Sequence, residues 1–273
     1  MHEADMRTLL FVPASRPERF AKALDSGADA VIIDLEDAVA EQDKEAARDN
    51  VCRFAASRPQ ARFLVRTNEA ASTWFEADVA LCRDVANVAG TLLPKAESAA
   101  QVAAVAAAGK PVLPLIESAM GLHELDAIAG ARGVDRLSFG ALDLMLDLGV
   151  TPDTDGARLL LDDVRCQLLV HSRVQHLAAP IDSIHADFND AQGLAAAAGL
   201  ARDLGFGGML CIHPRQIEVV HQAFAPSEEQ LARARRIVAE AEATGASAFK
   251  LDGEMVDRPV IERARRVIAR AGG

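Results

Sequence analysis

Two short apolar segments of the chain each lead into a carboxylate. Val112–Ile116 is too short for a helix and predicts a buried strand, with Glu117 directly after it. Leu137–Phe139 predicts a second short strand, with Asp143 just beyond it. Carboxylates that leave neighbouring parallel strands on the same side can share one divalent cation. So few oxygen ligands suit Mg²⁺, which keeps its other positions for water and substrate. Each carboxylate can instead cap the helix that follows it, since acidic groups are favoured at helix N-termini.

Charged residues also follow most of the remaining apolar segments. In chain order they are Arg16, Glu18 and Arg19, then Asp34, Glu36 and Asp37, then Arg66, then Lys95 and Glu97, and finally His213. The segments themselves are apolar, so the charges are sorted to one end of each. Such sorting is expected of an enzyme whose catalytic groups lie where strands end. His213 has no second histidine spaced to join it as a metal ligand, which favours a structural role for it.

Arg66 carries the planar fork that binds a carboxylate at two points, as the carboxylate of a keto acid would require. It can equally be a structural partner of Glu36 or Asp37, because ion-pair networks are common around such sites. A Schiff base at Lys95 is disfavoured, since Glu97 and other nearby acids keep its ammonium group protonated. A metal held by the two carboxylates would polarise an α-keto acid and stabilise an enolate as it forms.

Short apolar segments alternate with longer helix-like ones along the chain. The eight predicted strands are Thr8–Val12, Ala30–Leu35, Phe63–Val65, Thr91–Leu93, Val112–Ile116, Leu137–Phe139, Ile181–Ile184 and Met209–Ile212. Strict alternation favours an α/β fold with parallel strands, and eight strands is the number that closes a (β/α)8 TIM barrel. A doubly wound open sheet is the alternative. It normally carries a Gly-rich phosphate loop after its first strand, where this chain has Pro13–Pro17.

The chain continues after the eighth unit. We therefore predict a barrel domain over residues 1–225 and a helical extension over 226–273. The extension starts with a helix capped by Ser227, passes through a polar segment, Gly245–Asp257, and ends with a helix from Pro259 to Ala271. A barrel closes without such a segment. The extension is expected to cover the barrel mouth or to pack on a neighbouring subunit.

Composition narrows the possible partners and location. The net charge of −11 argues against nucleic acid and an anionic membrane as partners, although a local group of arginines can still attract an anionic substrate. The four cysteines are widely spaced, which is neither a zinc pattern nor a disulfide framework, and a reducing cytoplasm is expected. Neither a signal peptide nor a membrane-spanning segment is expected from the sequence.

Several motifs in order resemble those of one enzyme family. They are Val12–Phe20 (VPASRPERF), Asp34–Val39 (DLEDAV), Leu93–Glu97 (LPKAE), Ile116–Ser118 (IES), Cys211–Pro214 (CIHP) and Asp252–Pro259 (DGEMVDRP). Together they resemble the citrate lyase β-subunit-like proteins of the HpcH/HpaI aldolase superfamily, and they span almost the whole chain. The resemblance implies a Mg²⁺-dependent lyase that cleaves or forms a carbon–carbon bond in citryl, citramalyl or malyl thioesters.

The resemblance also implies roles for individual residues. Glu117 and Asp143 would be the metal ligands, and Arg66 would hold the keto-acid carboxylate. Glu36 and Asp37 are expected beside the substrate. Asp257 would be a catalytic group reaching the barrel mouth of an adjacent subunit in a trimer or hexamer. The expected carrier is coenzyme A or an acyl-carrier protein, with Arg19 and Lys22 near its phosphates. The alternatives are a malate-synthase-like or thioesterase reaction, or a subunit active only within a complex.

Two positions depart from the family pattern. The family commonly has Arg-Val-Asn or Arg-Ile-Asn where this chain has Arg66, Thr67 and Asn68, which is a small change. It often has Glu-Asp where this chain has Leu142 and Asp143. The second change removes a carboxylate beside the expected metal site, so the metal ligand remains but the exact acyl substrate is left open.

Overall fold

The chain forms a closed barrel of eight parallel strands. The computed structural model describes residues 6–271. The strands are β1 Thr8–Pro13, β2 Ala30–Asp34, β3 Phe63–Arg66, β4 Val88–Leu93, β5 Val112–Ile116, β6 Ser138–Phe139, β7 Ile181–Asp182 and β8 Gly208–Cys211. They pair in sequence order, and β1 closes the barrel against β8, with Leu10 opposite Cys211. The predicted TIM barrel is thus confirmed.

Helices connect the strands and continue into the extension. They are α1 Phe20–Leu24, α2 Lys44–Ser57, α3 Phe75–Asp84, α4 Ala99–Ala106, α5 Ala119–His123, α6 Leu125–Ala129, α7 Ala141–Asp147, α8 Asp155–Val174, α9 Ala191–Leu204, α10 Arg215–Phe224, α11 Glu228–Thr244 and α12 Arg258–Ala271. Short 3-10 helices at Pro17–Arg19 and Glu41–Asp43 precede α1 and α2. None of the described helices is long and apolar enough to cross a membrane.

Apolar residues on the strands fill the barrel interior. The cluster contains Met6, Leu9, Ile32, Leu64, Leu92, Leu113, Leu115, Ile181 and Leu210. Neighbouring residues on the same strands, such as Leu10 and Ile33, are also buried. Both faces of each strand are covered, which explains why the strand sequences are continuous apolar runs rather than alternating ones. The polar residues at the strand ends therefore lie next to an otherwise apolar barrel interior.

The chain divides into two compact units, residues 1–220 and 221–273. In the second unit, a capping box at Ser227 and Gln230 starts α11, which confirms the predicted cap. The polar segment is a hairpin of β9 Phe249–Leu251 and β10 Glu254–Val256. Its turn residues, Asp252 and Gly253, both have positive φ, of 51° and 88°, as two-residue hairpins favour. The placement of the extension over the mouth or on a neighbour stays a prediction.

The extension has its own apolar core. Its buried members are Ala234, Ile237, Val256, Ile261 and Ala264, contributed by α11, the hairpin and α12. Ion pairs from α11 to the hairpin, Arg233 with Glu254 and Arg236 with Asp252, lie on its surface. Exposed pairs of this kind contribute little stability. The unit is therefore held mainly by apolar packing.

Candidate active site

Glu117 is a buried carboxylate at the end of β5. It is 4% exposed, and its Oε1 accepts a hydrogen bond of 2.8 Å from the backbone N–H of Lys95. Burial, together with the nearby carboxylates of Glu36 and Asp143, raises the pKa of Glu117 to about 8 against the effect of the Lys95 hydrogen bond. Ser118, not Glu117, caps α5, because its side chain accepts from the N–H of Gly121. Glu117 is thus not a helix cap.

Gly140 gives the Glu117 carboxylate its space. A Cβ atom at this position would lie 2.2 Å from Glu117 Oε2 and 2.9 Å from Glu117 Cβ. The backbone N–H of Gly140 donates to Ile116 O at 3.0 Å, which ties the ends of β5 and β6 together. Gly140 is also the residue before α7, and Asp143 lies exposed in the first turn of that helix. The two predicted metal ligands are therefore neighbours at adjacent strand ends.

Helix α7 is held in place at both of its ends. The N–H of Ala141 donates to Ser183 Oγ at 3.0 Å, in the loop that follows β7. At the other end of α7, Asp147 Oδ2 accepts from the N–H of Ala119 at 2.7 Å, where α5 begins. The helix is thus tied to both neighbouring strand-end loops, and this fixes the backbone that carries Asp143.

Arg66, the last residue of β3, is bound to acids of the neighbouring strand. Its Nε and Nη2 donate to the two carboxylate oxygens of Asp34, each at 2.7 Å. Its Nη1 lies 2.8 Å from Glu36 Oε2 and 3.4 Å from Asp37 Oδ2. The side chain also lies over the ring of Phe11, 4.9 Å from its centroid. Arg66 therefore has the ion pairs with Glu36 and Asp37 that a structural role requires. Its two-point fork is occupied by Asp34, a partner that was not predicted from the sequence.

Glu36 is a second buried carboxylate, 5% exposed. Burial raises its pKa to about 7 against the attraction of Arg66. Its oxygens lie 2.8 Å from Arg66 Nη1 and 3.5 Å from Lys95 Nζ. Neither contact has hydrogen-bond geometry, so both oxygens lack a hydrogen-bond partner among the described residues. Such a group retains capacity for a ligand, because buried polar atoms are otherwise satisfied.

A buried lysine holds the loops that follow β2 and β3. Lys44 Nζ donates to Leu35 O at 2.7 Å, to Glu36 O at 2.8 Å and to Asn68 Oδ1 at 2.6 Å. Asn68 in turn donates through its backbone and its side chain to Asp78 Oδ2. Burial lowers the pKa of Lys44. No sequence signal pointed to this role, since Lys44 stands in an acidic segment typical of an exposed helix start.

Lys95 lies between acids, as expected. Its Nζ is 3.5 Å from Glu36 and 3.3 Å from Glu69. Burial lowers the pKa of Lys95, but these two carboxylates outweigh burial and raise it overall. A protonated amine is a poor nucleophile. The contacts therefore agree with the argument against a Schiff base.

The remaining predicted site residues lie on exposed segments. Arg19 ends the 3-10 helix after β1, and Lys22 lies in α1. Asp257 precedes the last helix of the extension, and its Oδ1 accepts from the N–H of Val260 at 3.3 Å. The side chain of Asp257 is itself exposed. It thus caps α12, which leaves a catalytic role open.

Within residues 6–271, no group of three or more His, Cys, Asp or Glu side chains is arranged to hold a metal. A metal at this mouth would have Glu117 and Asp143 as its protein ligands and take the rest from water and substrate. That ligand count is the one Mg²⁺ favours. A closed α/β barrel with carboxylates at its strand ends has the arrangement of an enzyme whose active site lies at the barrel mouth.

Residues 7–214 match the HpcH/HpaI aldolase/citrate lyase family, and residues 170–272 match the carbon–carbon bond lyases of the TIM-barrel fold. The chain belongs to the HpcH/HpaI aldolase/citrate lyase family and is a carbon–carbon lyase of the citrate lyase β type.

Individual relatives match over nearly the full chain. A citrate lyase subunit beta-like protein of Mycobacterium tuberculosis is 43% identical, covering 96% of this chain and 94% of the relative. The (3S)-malyl-CoA thioesterase of Cereibacter sphaeroides is 33% identical, covering 99% and 96%. The crystal structure of the protein CitE from Mycobacterium tuberculosis, in complex with magnesium, acetoacetate and coenzyme A, superposes with a TM-score of 0.85 at 37% identity, covering 99% of this chain and 100% of that one.

Proposed function

We propose that this protein is a Mg²⁺-dependent lyase that cleaves a β-hydroxyacyl thioester into an α-keto acid and an acetyl thioester. Citramalyl-, malyl- and citryl-CoA are the candidate substrates, and the reverse condensation uses the same groups. The observation that carries the proposal is the buried carboxylate of Glu117, whose pKa rises to about 8 beside Asp143. Burying a carboxylate is unfavourable, and a surface that only binds a partner gains nothing from it.

The residues present fit a magnesium ion. Glu117 and Asp143 supply carboxylate oxygens, and Glu36 adds a buried carboxylate whose oxygens have no hydrogen-bond partner among the described residues. A cation would offset the burial of Glu117 and the repulsion from Glu36 and Asp143, which together raise the pKa of Glu117. When bound, Mg²⁺ supplies a Lewis acid for the oxygens of the keto acid. The magnesium in the similar structure from Mycobacterium tuberculosis supports this assignment.

The substrate would lie between the metal ligands and Arg66. Since Asp34 occupies Nε and Nη2 of Arg66, the keto-acid carboxylate is bound through Nη1, where Glu36 and Asp37 now lie. Asp34 then fixes the orientation of the guanidinium, and one point of the fork serves the substrate. Glu36 and Asp37 would line the same side of the substrate.

The reaction requires two proton transfers, one from the β-hydroxyl group and one to the α carbon. A base takes the proton of the β-hydroxyl group, the bond between the α and β carbons breaks, and its electron pair passes to the thioester as an enolate. The keto acid leaves, and a proton returned to the α carbon gives the acetyl thioester. We assign these proton transfers to Asp257 of an adjacent subunit, in a homo-oligomer such as a trimer or hexamer. Closed rings satisfy every subunit in the same way.

Arg19 and Lys22 are proposed to bind the phosphates of the thioester carrier. Both are exposed cations in the connection that follows β1. A cytoplasmic location fits a thioester substrate. The carrier is coenzyme A or an acyl-carrier protein.

A panel of thioesters tests the reaction directly. Purified protein is incubated with citramalyl-, malyl- and citryl-CoA, with Mg²⁺ or with EDTA, and the products are identified by mass. We expect a keto acid and acetyl-CoA from at least one thioester, and no product in EDTA. The absence of turnover of all three, with and without EDTA, would refute the lyase.

Thioester hydrolysis is the second candidate, because the (3S)-malyl-CoA thioesterase is 33% identical over nearly the full chain. A thiol dye separates the two reactions. A lyase forms acetyl-CoA and releases no free thiol, whereas a thioesterase or a synthase-like reaction with hydrolysis releases one thiol per turnover. Activity that appears only after addition of other subunits would instead indicate a complex-dependent subunit.

A further inference from the structure

Lys95 has a backbone conformation that is unusual for its residue type. Its φ is 45°, in the left-handed region that glycine adopts freely and most other residues avoid. Among the described residues, the other non-glycine positions with positive φ are Asp153, His176 and Asp252, whose residue types adopt this region more readily. Those three lie in a loop, at a helix end and in a hairpin turn, whereas Lys95 lies at the barrel mouth just after β4. Backbone strain kept at such a place points to a function.

The segment that follows Lys95 is fastened to the end of β5 and the start of α5. The N–H of Ala96 donates to Leu115 O at 3.2 Å. Glu97 Oε1 accepts from Ser118 Oγ at 2.7 Å, so a side-chain bond adds to the backbone bond. Ala96 is fully buried. Residues 96 and 97 therefore cannot shift to relieve the conformation of Lys95 without breaking these contacts.

The left-handed conformation allows the N–H of Lys95 to reach Glu117. Before Lys95, the chain is fixed by strand pairing, with Leu93 of β4 opposite Pro114 of β5. The chain is thus held on both sides of Lys95, and φ at this residue determines how the two parts join. With the observed φ, the N–H donates to Glu117 Oε1 at 2.8 Å. An ordinary negative φ would break the strand pairing, the bonds of residues 96 and 97, or this one hydrogen bond. We expect the single bond to be lost, since the alternatives break several.

We propose that Lys95 is a positioning residue for Glu117, and that it acts through its left-handed backbone rather than through its ammonium group. This rests on the proposed function, in which Glu117 is a metal ligand, and deepens it. The N–H holds one oxygen of a buried carboxylate and so fixes its orientation, as hydrogen bonds to metal ligands commonly do. The ammonium group lies by other acids, Glu36 and Glu69. Its removal would leave the mouth more negative, which favours a cation.

Substitutions at Lys95 separate the backbone from the charge, with Mg²⁺ affinity measured by calorimetry. Lys95→Gly, Lys95→Asn and Lys95→Val all remove the ammonium group. Glycine and asparagine adopt the left-handed region, whereas β-branched valine does not. We expect the glycine and asparagine variants to bind Mg²⁺ at least as tightly as the wild type. The valine variant should bind about tenfold to a hundredfold more weakly, the loss typical when a bond that supports a metal ligand is removed. Lys95→Ala should fall between glycine and valine, and it replaces the valine variant if that protein does not fold.

His176→Val is the matched control, because it places valine at another left-handed position. His176 has φ of 56°, is exposed, and follows α8 on the face of the barrel opposite the mouth. This variant should lower the melting temperature but leave Mg²⁺ affinity unchanged. Equal Mg²⁺ affinity in the glycine and valine variants of Lys95 would overturn the proposal, and an equal loss in both would assign the effect to the ammonium group. A loss in Lys95→Val no larger than in His176→Val would also overturn it.

The proposed function can fail separately from this assignment. A wild-type protein that does not bind Mg²⁺ would overturn both, because Glu117 would then have no metal to hold. A wild type that binds Mg²⁺ and cleaves a thioester, with variants of Lys95 that all bind the ion equally, would keep its proposed function and lose only the role of Lys95.

Discussion

Asp34 and Arg66 illustrate how a buried neighbour limits what a functional side chain can do. Asp34 is 2% exposed and binds two nitrogens of Arg66, while its Oδ1 also accepts from the N–H of Glu36 at 2.9 Å. Asp34 therefore holds the arginine rigidly through Nε and Nη2. Only Nη1 is directed at Glu36 and Asp37. An aligned guanidinium of this kind loses little freedom when it binds a substrate oxygen.

Arg66→Lys should reduce both activity and stability. Lysine keeps the charge but cannot bridge Asp34, so the substrate contact moves and a buried carboxylate loses a partner. We expect kcat/KM to fall by about tenfold to a thousandfold, which corresponds to about 1.4–4 kcal/mol. The free energy of unfolding should fall by about 1–3 kcal/mol. Steady-state kinetics and urea unfolding measure the two effects.

Arg165→Lys provides the control for this variant. Arg165 Nε donates to the buried Asp182 at 2.9 Å, and its guanidinium lies over the ring of Phe139. It should lose similar stability with a much smaller change in kcat/KM. If the two variants lose equal activity, Arg66 is structural.

Magnesium affinity should depend on pH through Glu117. Its environment raises the pKa of this carboxyl to about 8, so the metal-free protein holds the proton at pH 7, and binding must displace it. Calorimetry should therefore show affinity rising between about pH 6 and pH 8, with up to one proton released per ion at the lower pH. Glu117→Gln should abolish the released proton. Affinity that is constant over this range would contradict the assignment of Glu117 as a ligand.

Some site residues could be predicted from the sequence better than others. Glu117 and Asp143 follow closely on apolar runs, so the predicted strands place them at the mouth. The role of Lys44 depends on contacts with Leu35, Glu36 and Asn68, which come from separate parts of the chain. Local composition carries no signal for such a contact, and the charge of a lysine predicts exposure rather than burial.

At the scale of elements, α7 links three strand ends. Gly140 precedes it and packs on Glu117, Ser183 from the β7 loop holds its first turn, and Asp147 reaches back to α5. Helices α5 and α6 are separated at Glu124. Ser118 caps α5, so this helix begins two residues after Glu117.

Gly140→Ala should weaken metal binding. The new methyl group would lie 2.2 Å from Glu117 Oε2, so the carboxylate or the start of α7 must move. We expect magnesium affinity to fall by about tenfold or more, as displacement of supporting groups does at metal sites, with a lower melting temperature. Calorimetry and thermal unfolding measure both.

Gly199→Ala is the matched control for Gly140→Ala. Gly199 lies within α9, and an added Cβ there meets nothing within 4 Å. This variant should gain about 0.5–1 kcal/mol of stability and bind the metal normally, since alanine favours the helix. Normal magnesium affinity in Gly140→Ala would show that Glu117 does not need this contact.

At the scale of the whole molecule, eight apolar segments in alternation with helices were enough to predict the barrel. The hairpin of the extension was not predicted, although Asp252-Gly253 between the short segments Phe249–Leu251 and Glu254–Val256 is the turn signal for one. Asp257 was expected to act in catalysis at an adjacent subunit, which depends on assembly. Its bond to the N–H of Val260 shows that it also caps the last helix.

Asp257→Asn separates the two roles of Asp257. Asparagine is as good a cap as aspartate, so the melting temperature should stay within about a degree or two, while the proton-transfer group is lost. Alone, Asp257→Asn and Glu117→Gln should each be nearly inactive. Mixed oligomers should recover part of the activity, because some sites combine an intact Glu117 with an intact Asp257 from a neighbour. A mixture that stays inactive after confirmed subunit exchange would place Asp257 within its own site or outside catalysis.

The rate of keto-acid release as a function of Mg²⁺ concentration, measured for the wild type and Asp143→Asn, tests whether this site works through a bound metal. The substrate is whichever thioester the panel identifies. We predict saturable dependence in the wild type and a half-saturating concentration raised by about tenfold or more in Asp143→Asn, with loss of one anionic ligand. A rate that does not depend on Mg²⁺, or an identical curve for the variant, would contradict the account of this site.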